Sequence, residues 1–333
     1  MKILVTGGMG FIGSNLIRHL LSSDTKLTVT NLDNLSTGAN PANLKDLDMP
    51  GRYRFVKGDI TDSRLVSRLV KGHEAIISCA DETHVDRSIS NPRPFLNSNV
   101  LGTFMILEAI RKQNPEVKMV HVSTDEAYGD IAQGSFSEED RLKPSNPYSA
   151  TKAAADMLML AYHRTYGLHV TITRCTNNFG PYQHLEKLIP KTIVRALRDL
   201  PIPIYGSGMQ VRDWIYVSDH CEALRTVLEA GRPGEIYNIS SGNEIPNLKI
   251  VESMLQIMGK PRTLIEFVED RPGHDIRYSL NSERLRSQTG WRPRHSFQKA
   301  LEETVKWYLE NEWWWRRQAS EKILHPTPWK RKW

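Results

Sequence analysis

Cysteine is scarce. Three residues in 333, Cys79, Cys175 and Cys221, are odd in number and widely spaced, which excludes a disulfide framework and any metal-ligand spacing. They read as reduced core thiols, with a catalytic cysteine as the minor alternative, and no metal is expected. No apolar run approaches the ~18 residues of a membrane span. The opening Met1-Lys2-Ile3-Leu4-Val5 enters a strand pattern at once, so no signal peptide is expected and the compartment is read as cytoplasmic. A recognised nucleic-acid motif, an internal repeat and a low-complexity segment are all missing. The net charge of +6 suits anionic ligands in general, but the basic residues are scattered and their one short cluster is Lys330-Arg331-Lys332. Charged residues at 25% and apolar residues at 39% describe an ordinary water-soluble chain, long enough for one large domain or two intimate ones.

What the chain does have is a chemical run at a strand end. Lys118-Met119-Val120-His121-Val122 is a short buried-strand pattern, and it delivers Ser123-Thr124-Asp125-Glu126 where open α/β sheets bind ligands. Farther on, Tyr148 and Lys152 stand four apart, sharing one face of a helix. An ammonium beside a phenol favours the phenolate, which makes the pair an acid/base couple. Asp125 and Glu126 could instead cap the following helix.

The first strand, Ile3-Leu4-Val5, runs into glycines at 7, 10 and 13, the spacing of a dinucleotide loop whose helix N-terminus faces a pyrophosphate. A second strand, Leu27 to Asn31, delivers Asp33 twenty residues past the last loop glycine, where a carboxylate binds the ribose hydroxyls of NAD and repels the extra phosphate of NADP. Asp33 could also be a turn residue. Asp59, after the strand Tyr53 to Lys57, is assigned to an adenine edge or to a helix cap. The strand Ala75 to Ala80 leads into Asp81-Glu82-Thr83-His84-Val85-Asp86-Arg87-Ser88, too rich in ionisable groups for an idle loop. A helix carries Asn99, Leu101, Phe104, Leu107 and Ile110. The helix after Tyr148, with Ala153, Ala154, Ala155, Met157, Leu158 and Leu160, can face both the sheet and a second subunit. The strand Val170 to Arg174 ends in Asn177-Asn178-Phe179-Gly180-Pro181-Tyr182, a rigid loop with two side-chain amides. Past residue 180 the alternation loosens: a helix over 188–198, a strand at Ile202 to Tyr205, another ending at Asn238-Ile239. These are assigned to a smaller, substrate-facing unit. Arg212 and Arg271 are candidates for gripping a diphosphate, or for surface ion pairs. Trp307, Trp313, Trp314, Trp315, Trp329 and Trp333, with Leu301, Val305 and Leu309, read as a packing tail rather than a base-stacking one. The fold expected is a Rossmann-type doubly wound parallel sheet over residues 1–180, interleaved with a smaller α/β unit over 181–333.

Together, Thr6-Gly7-Gly8-Met9-Gly10-Phe11-Ile12-Gly13 and Tyr148-x-x-x-Lys152 resemble the extended short-chain dehydrogenase/reductase superfamily. Within it, five stretches are similar to the dTDP-glucose 4,6-dehydratase family: Asp33-Asn34-Leu35, Glu82 to Ser88, Ser123 to Glu126, Asn177 to Tyr182, and Arg271-Pro272-Gly273-His274-Asp275. The resemblance spans nearly the whole chain, and sugar-nucleotide epimerases of the same fold lack the Asp-Glu pair. It implies that Tyr148, kept as phenolate by Lys152 and NAD⁺, takes the proton from the sugar 4-hydroxyl as hydride leaves C4. Thr124 then binds that hydroxyl, Glu126 takes the C5 proton, Asp125 protonates the departing 6-hydroxyl, and hydride returns to C6. An acid and a base side by side require opposite protonation states. By the same matching, Gly7, Gly10, Phe11, Ile12, Gly13, Asp33, Asn34, Asp59, Ile60, Ala80, Asn99, Tyr148, Lys152 and Asn178 would hold NAD. Thr83 would face the glucose and Asn177 the diphosphate region, while Lys187, Leu188, Pro203, Tyr205, Arg212, Asn247, Arg271 and His274 would line the nucleotide end. The family's usual Ala-Ala-Glu is here Ala80-Asp81-Glu82, which adds a charge near the cofactor, and Gln183 to Glu186 also varies. UDP- and CDP-glucose therefore stay as alternative substrates, a 4-epimerase as an alternative activity, and a non-catalytic NAD sensor as the reading from another class. The resemblance further implies a homodimer through the helices near 99–111 and 148–165.

Overall fold

Ile3 and Val5 of strand β1 (Lys2–Thr6) enter one apolar core and Leu4 enters another, all fully buried. A strand buried on both sides needs helices on both sides, which is the logic of a parallel sheet. In the computed structural model, which describes residues 1–331, five strands follow β1: β2 (Thr28–Asp33), β3 (Tyr53–Lys57), β4 (Ala75–Ser78), β5 (Lys118–Thr124) and β6 (Val170–Cys175). Lys332 and Trp333, which end the basic cluster and the tryptophan-rich tail, lie outside the described residues.

The strands pair in parallel in the order β3-β2-β1-β4-β5-β6. The order reverses at β1, flanked by β2 and β4, so a crevice opens there at the carboxyl ends of the strands. The helix Phe11–Ser23 buries Leu16, Ile17, Leu20 and Leu21 on one face of the sheet. Helices Ser63–Lys71 and Thr103–Gln113 bury Val66, Leu69, Ile106, Leu107 and Ile110 on the other. Each such side chain contributes about 1.5–3 kcal/mol, which docks the helices and fixes the crevice between them.

The later strands are β7 (Asn177–Phe179), β8 (Ile202–Tyr205), β9 (Val211–Tyr216), β10 (Ile236–Ile239), β11 (Glu244–Pro246) and β12 (Ile265–Val268). Small sheets β11-β9-β7 and β12-β8 form around a separate core of Phe179, Ile189, Ile193, Trp214, Met254 and Leu301. Strand β10, ending at the Asn238-Ile239 expected in the smaller unit, instead pairs β6 in the large sheet, with Ile239 opposite Cys175. Tyr237 and Ile239 are fully buried in the core that holds Ile3 and Val5, and that burial decides the placement.

The tail packs. Trp314 and Trp315 are buried, and their indole N–H groups donate to Asn43 Oδ1 and the Tyr308 carbonyl, each at 2.8 Å. Leu309 departs from the expected stripe and is 48% exposed, because Leu301, Val305 and Tyr308 already fill the core-facing side of helix Phe297–Glu310. Trp313 is likewise exposed, under the Lys45 ammonium at 3.5 Å from its ring centre. No helix among the described residues is long and apolar enough to cross a membrane.

Candidate active site

The cleft at the carboxyl ends of β1, β2, β4 and β5 is lined by Gly7, Gly10, Phe11, Ile12, Gly13, Asp33, Asn34, Asp59, Ile60 and Ala80. Gly7 has φ +72°, and a Cβ there would meet the Cys79 carbonyl at 2.6 Å, so only glycine closes this turn. Gly10 precedes the helix Phe11–Ser23 without a side-chain cap, which leaves that N-terminus free for an anion. Asp33 Oδ2 accepts from Met9 N at 2.9 Å and Oδ1 from Leu35 N at 2.7 Å, so it shapes the turn and lines the cleft together. Burial pushes its carboxyl up, against those two bonds. Asp59 is not a helix cap: Asp62 caps the helix Ser63–Lys71 by accepting from Arg64 N and Leu65 N. Burial works to raise Asp59, but hydrogen bonds from Thr61 and Asn34 outweigh it and hold its pKa below the ordinary value. A glycine turn, an open helix N-terminus and an acidic side chain at the next strand end together fit a dinucleotide that lacks a ribose 2′-phosphate.

Tyr148, Lys152, Thr124, Asp125, Glu126 and Asn178 line the inner end of the same cleft. The helix Pro147–Tyr166 starts where Asn146 and Ser149 form a reciprocal cap and Pro147 presets the first turn, which fixes Tyr148 in the cleft wall. Its backbone N–H donates to Ser88 Oγ at 3.2 Å, joining this helix to the polar run after β4. Asp125 and Glu126 do not cap a helix. The cap is Thr124, whose Oγ1 accepts from Glu126 N at 3.3 Å and donates to Asp125 Oδ1 at 3.1 Å. Among the described residues none hydrogen-bonds Asp125 Oδ2 or Glu126 Oε2, so the buried Asp125 and the half-buried Glu126 each hold one unpartnered carboxyl oxygen.

Their electrostatics differ. Burial and the adjoining Glu126 hold the Asp125 carboxyl well above its usual range, which favours it as the acid of the pair. Burial raises Glu126 also, but Arg271 and Arg212 oppose it. The Tyr148 phenol is pushed well up by burial, then by Glu126 and Asp81, and eased by the neighbouring Thr124 hydroxyl. Lys152 does not spend its charge on the phenol alone. Its Nζ donates to Asp81 Oδ2 at 2.5 Å and to the Val122 carbonyl at 2.7 Å.

A second cleft meets the first at Thr83, Glu126, Asn177, Glu186 and Lys187, and is lined by Leu188, Pro203, Tyr205, Arg212, Asn247, Arg271 and His274. Lys187 Nζ donates to the Thr83 carbonyl at 2.9 Å. Arg271 pairs with Asp86 at 3.0 Å, leaving its buried Nε without a hydrogen-bond partner among the described residues. Arg212 is different: its terminal nitrogens donate to the carbonyls of Val211, Asp275 and Ile276, and its guanidinium lies 4.1 Å over the Tyr278 ring. It faces the cleft as a fixed positive charge that also ties the 275–276 turn to β9. Burial and Arg271 keep His274 neutral, pushed down to about 4 despite its 2.6 Å contact with Asp270.

Asn99 does not line the cleft. Fully buried, it bonds both ends of the Glu82 peptide and receives no room for a ligand, Oδ1 accepting from Glu82 N at 2.9 Å and Nδ2 donating to the Glu82 carbonyl at 3.0 Å. It holds the Asp81-Glu82 turn in place. Several lining residues escaped the sequence reading. Ser36, Thr37 and Gly38 form a small polar turn after β2, whose composition is the signal. Asp86, Glu186 and Lys191 join the second cleft, and Arg87 bridges Glu82 at 2.7 Å and Glu186 at 3.2 Å beneath it. Glu186 comes 99 residues after Arg87, a distance no local pattern records.

A family model described as GDP-mannose 4,6 dehydratase matches residues 4–304. The chain is 47% identical to a dTDP-glucose 4,6-dehydratase of Streptomyces niveus over 321 residues, covering 95% of each. It is 46% identical over 322 residues to one of an Actinoplanes strain, covering 95% of this chain and all of that one. Among solved structures, DesIV of Streptomyces venezuelae, a dTDP-glucose 4,6-dehydratase with NAD and TYD bound, superposes with a TM-score of 0.93 at 45% identity, covering 95% of this chain and 99% of that one.

Proposed function

The chain belongs to the dTDP-glucose 4,6-dehydratase family, and from that premise we propose that it is an NAD-dependent lyase. It converts dTDP-glucose to dTDP-4-keto-6-deoxy-glucose. The observation that carries this reading is the pair of adjacent carboxyls, Asp125 and Glu126, each with an unpartnered oxygen, lining one cleft with Thr124 and Tyr148. A 4-epimerase needs neither a C5 base nor a C6 acid, and a cofactor sensor needs no acid/base set at all.

NAD would be held by the glycine turn, Asp33, Asn34, Asp59, Ile60, Ala80, Lys152 and Asn178, and when bound it supplies a hydride acceptor for C4 and a donor for C6. The protein supplies the proton chemistry. Tyr148 removes the 4-hydroxyl proton, and Thr124 holds that hydroxyl. Once C4 is a ketone the C5 proton is acidic, and Glu126 takes it. Asp125, kept protonated by burial, gives its proton to the departing 6-hydroxyl. Glu126 exchanges that proton with water and then delivers a solvent-derived one to C5. Over one cycle the phenol has gained a proton and Asp125 has lost one. The Thr124 hydroxyl, which donates to Asp125 Oδ1 and lines the same cleft as the phenol, is placed to carry it across.

At the other end Asn177, Lys187 and Arg271 would meet the diphosphate, with Arg212 as a fixed charge behind it. Leu188, Pro203, Tyr205, Asn247 and His274 would enclose the nucleoside and Thr83 the glucose. Leu96, Leu101, Met157 and Tyr166 are exposed on the helical segments Leu96–Gln113 and Pro147–Tyr166, and a second copy covering them would make a homodimer. A cytoplasmic location completes the reading. Turnover of dTDP-glucose in heavy water tests the chemistry: the product should carry deuterium at C5 with no net reduced cofactor. Protium at C5 in a product that had lost water would remove Glu126 from its role. A single species of monomer mass in light scattering would end the dimer proposal.

A further inference from the structure

Lys152 has one charged neighbour that the reaction above does not use. Asp81 Oδ2 lies 2.5 Å from Lys152 Nζ, with the two side chains 7% and 2% exposed. The rest of the ammonium's shell is uncharged: the Val122 carbonyl at 2.7 Å and His121 Nε2 at 3.4 Å. Burial, and then Lys152 itself, keeps His121 neutral. Asp156, on the same helix, is tied to Arg174 Nε at 2.9 Å. Cys79 and Cys175 stay as thiols, raised by burial. Glu126 faces the phenol from the substrate side. Among the described residues, Asp81 is therefore the group that compensates Lys152. The chain has a carboxylate here where the resemblance leads one to expect alanine.

Resting on the reading of Tyr148 as the base, we propose that Asp81 is a positioning residue that sets the working pH of Tyr148. It clamps the Lys152 ammonium against the end of β5 and cancels much of its field at the phenol. A lone ammonium one helical turn away stabilises a phenolate, whereas an ion pair acts on it only as a dipole, and the near carboxylate repels it. Tyr148 of this chain thus engages as a base at higher pH than it would with an uncharged residue at 81.

The test is Asp81→Asn, which keeps an oxygen acceptor for Nζ, with Asp81→Ala as the second variant should the amide disturb the pocket. Tyr148 is titrated in the NAD-loaded protein by phenolate absorbance, using Tyr148→Phe as the blank, and the pH profile of kcat is recorded. The midpoint should fall by about one pH unit in the variant, a tenfold change in acidity, and the acidic limb of the profile should follow it. An unmoved midpoint overturns the proposal. So does an upward one, which would mean that Lys152 loses its proton with its partner. The titration requires no turnover, so a wild-type protein that failed to dehydrate dTDP-glucose would sink the functional reading while this result was still read.

Discussion

Asp125→Asn separates the two halves of the reaction. The amide has the shape of the carboxyl and keeps an oxygen for the 3.1 Å bond from Thr124 Oγ1, and it removes a buried acid crowded by Glu126. Stability should therefore change by no more than about 1 kcal/mol, as for substitutions without a cavity or a lost network. Catalysis should not survive as well. A positioned general acid contributes about 10²–10⁴ in rate, equivalent to roughly 2.7–5.5 kcal/mol of barrier, and an amide has no proton to give a leaving hydroxyl. Oxidation at C4 relies on Tyr148 and Thr124 and should persist. Mixed with dTDP-glucose, the variant should therefore accumulate the absorbance of reduced nicotinamide, while the alkali-absorbing keto sugar appears 10²–10⁴-fold more slowly, within the range for a lost acid. Stopped-flow absorbance with a parallel alkali quench reads both. Near wild-type keto-sugar formation would refute the assignment of Asp125. Loss of the reduced-cofactor signal would place Asp125 in the oxidation step instead.

Glu126→Gln should likewise stall after oxidation, and in addition it should abolish deuterium uptake at C5 from heavy water, read by NMR. Arg87→Met leaves Glu82 and Glu186 buried without their shared cation, which should cost about 3–5 kcal/mol in urea unfolding. Burial already pushes Glu82 up, so without Arg87 its protonation on acidification should narrow that deficit, and a deficit that grew with acid would contradict the argument. His84 is pushed down by burial to about 4 and His220 to about 3, against an ordinary 6.5. The unfolded chain therefore takes up protons at these two sites below pH 6.5 that the folded chain refuses, so their contribution to stability should fall from pH 6.5 toward 4 and be level above about 7. Neither ring nitrogen of His220 has a hydrogen-bond partner among the described residues, so His220→Leu should be neutral or stabilising at pH 7 and flatten that acid slope in thermal melts.

How far the chain could be read follows from the range of each interaction. β3 and β8 were legible to the residue, because apolar runs bounded by glycine, proline and charge act locally. The glycine loop, Asp33 and the Thr124–Glu126 run were legible because strand ends place them. Membership was harder. The sequence Ile236-Tyr237-Asn238-Ile239 announces a strand but not which sheet it joins, since its partner β6 lies some sixty residues earlier. Asn99 was placed in the right neighbourhood with another duty, because a side chain that satisfies buried backbone looks in sequence like one that binds a ligand. Arg212 lines its cleft as expected but also holds backbone carbonyls, which no local pattern records. The Asp81–Lys152 pair spans 71 residues, and the sequence hinted at it through the density of charge after β4 and the extra carboxylate at 81, without naming the partner. In the tail, Trp313 and Trp314 are neighbours in sequence, yet one is exposed and the other buried, since successive helical positions point some 100° apart.

The measurement closest to the central claim is turnover of dTDP-glucose by the purified protein, run beside UDP-glucose and CDP-glucose without added reductant. The paired carboxyls beside Thr124 and Tyr148 predict a 4-keto-6-deoxy sugar, fastest from dTDP-glucose, with no net accumulation of reduced cofactor. A 4-epimer of the substrate, without loss of water, would contradict the roles given to Asp125 and Glu126.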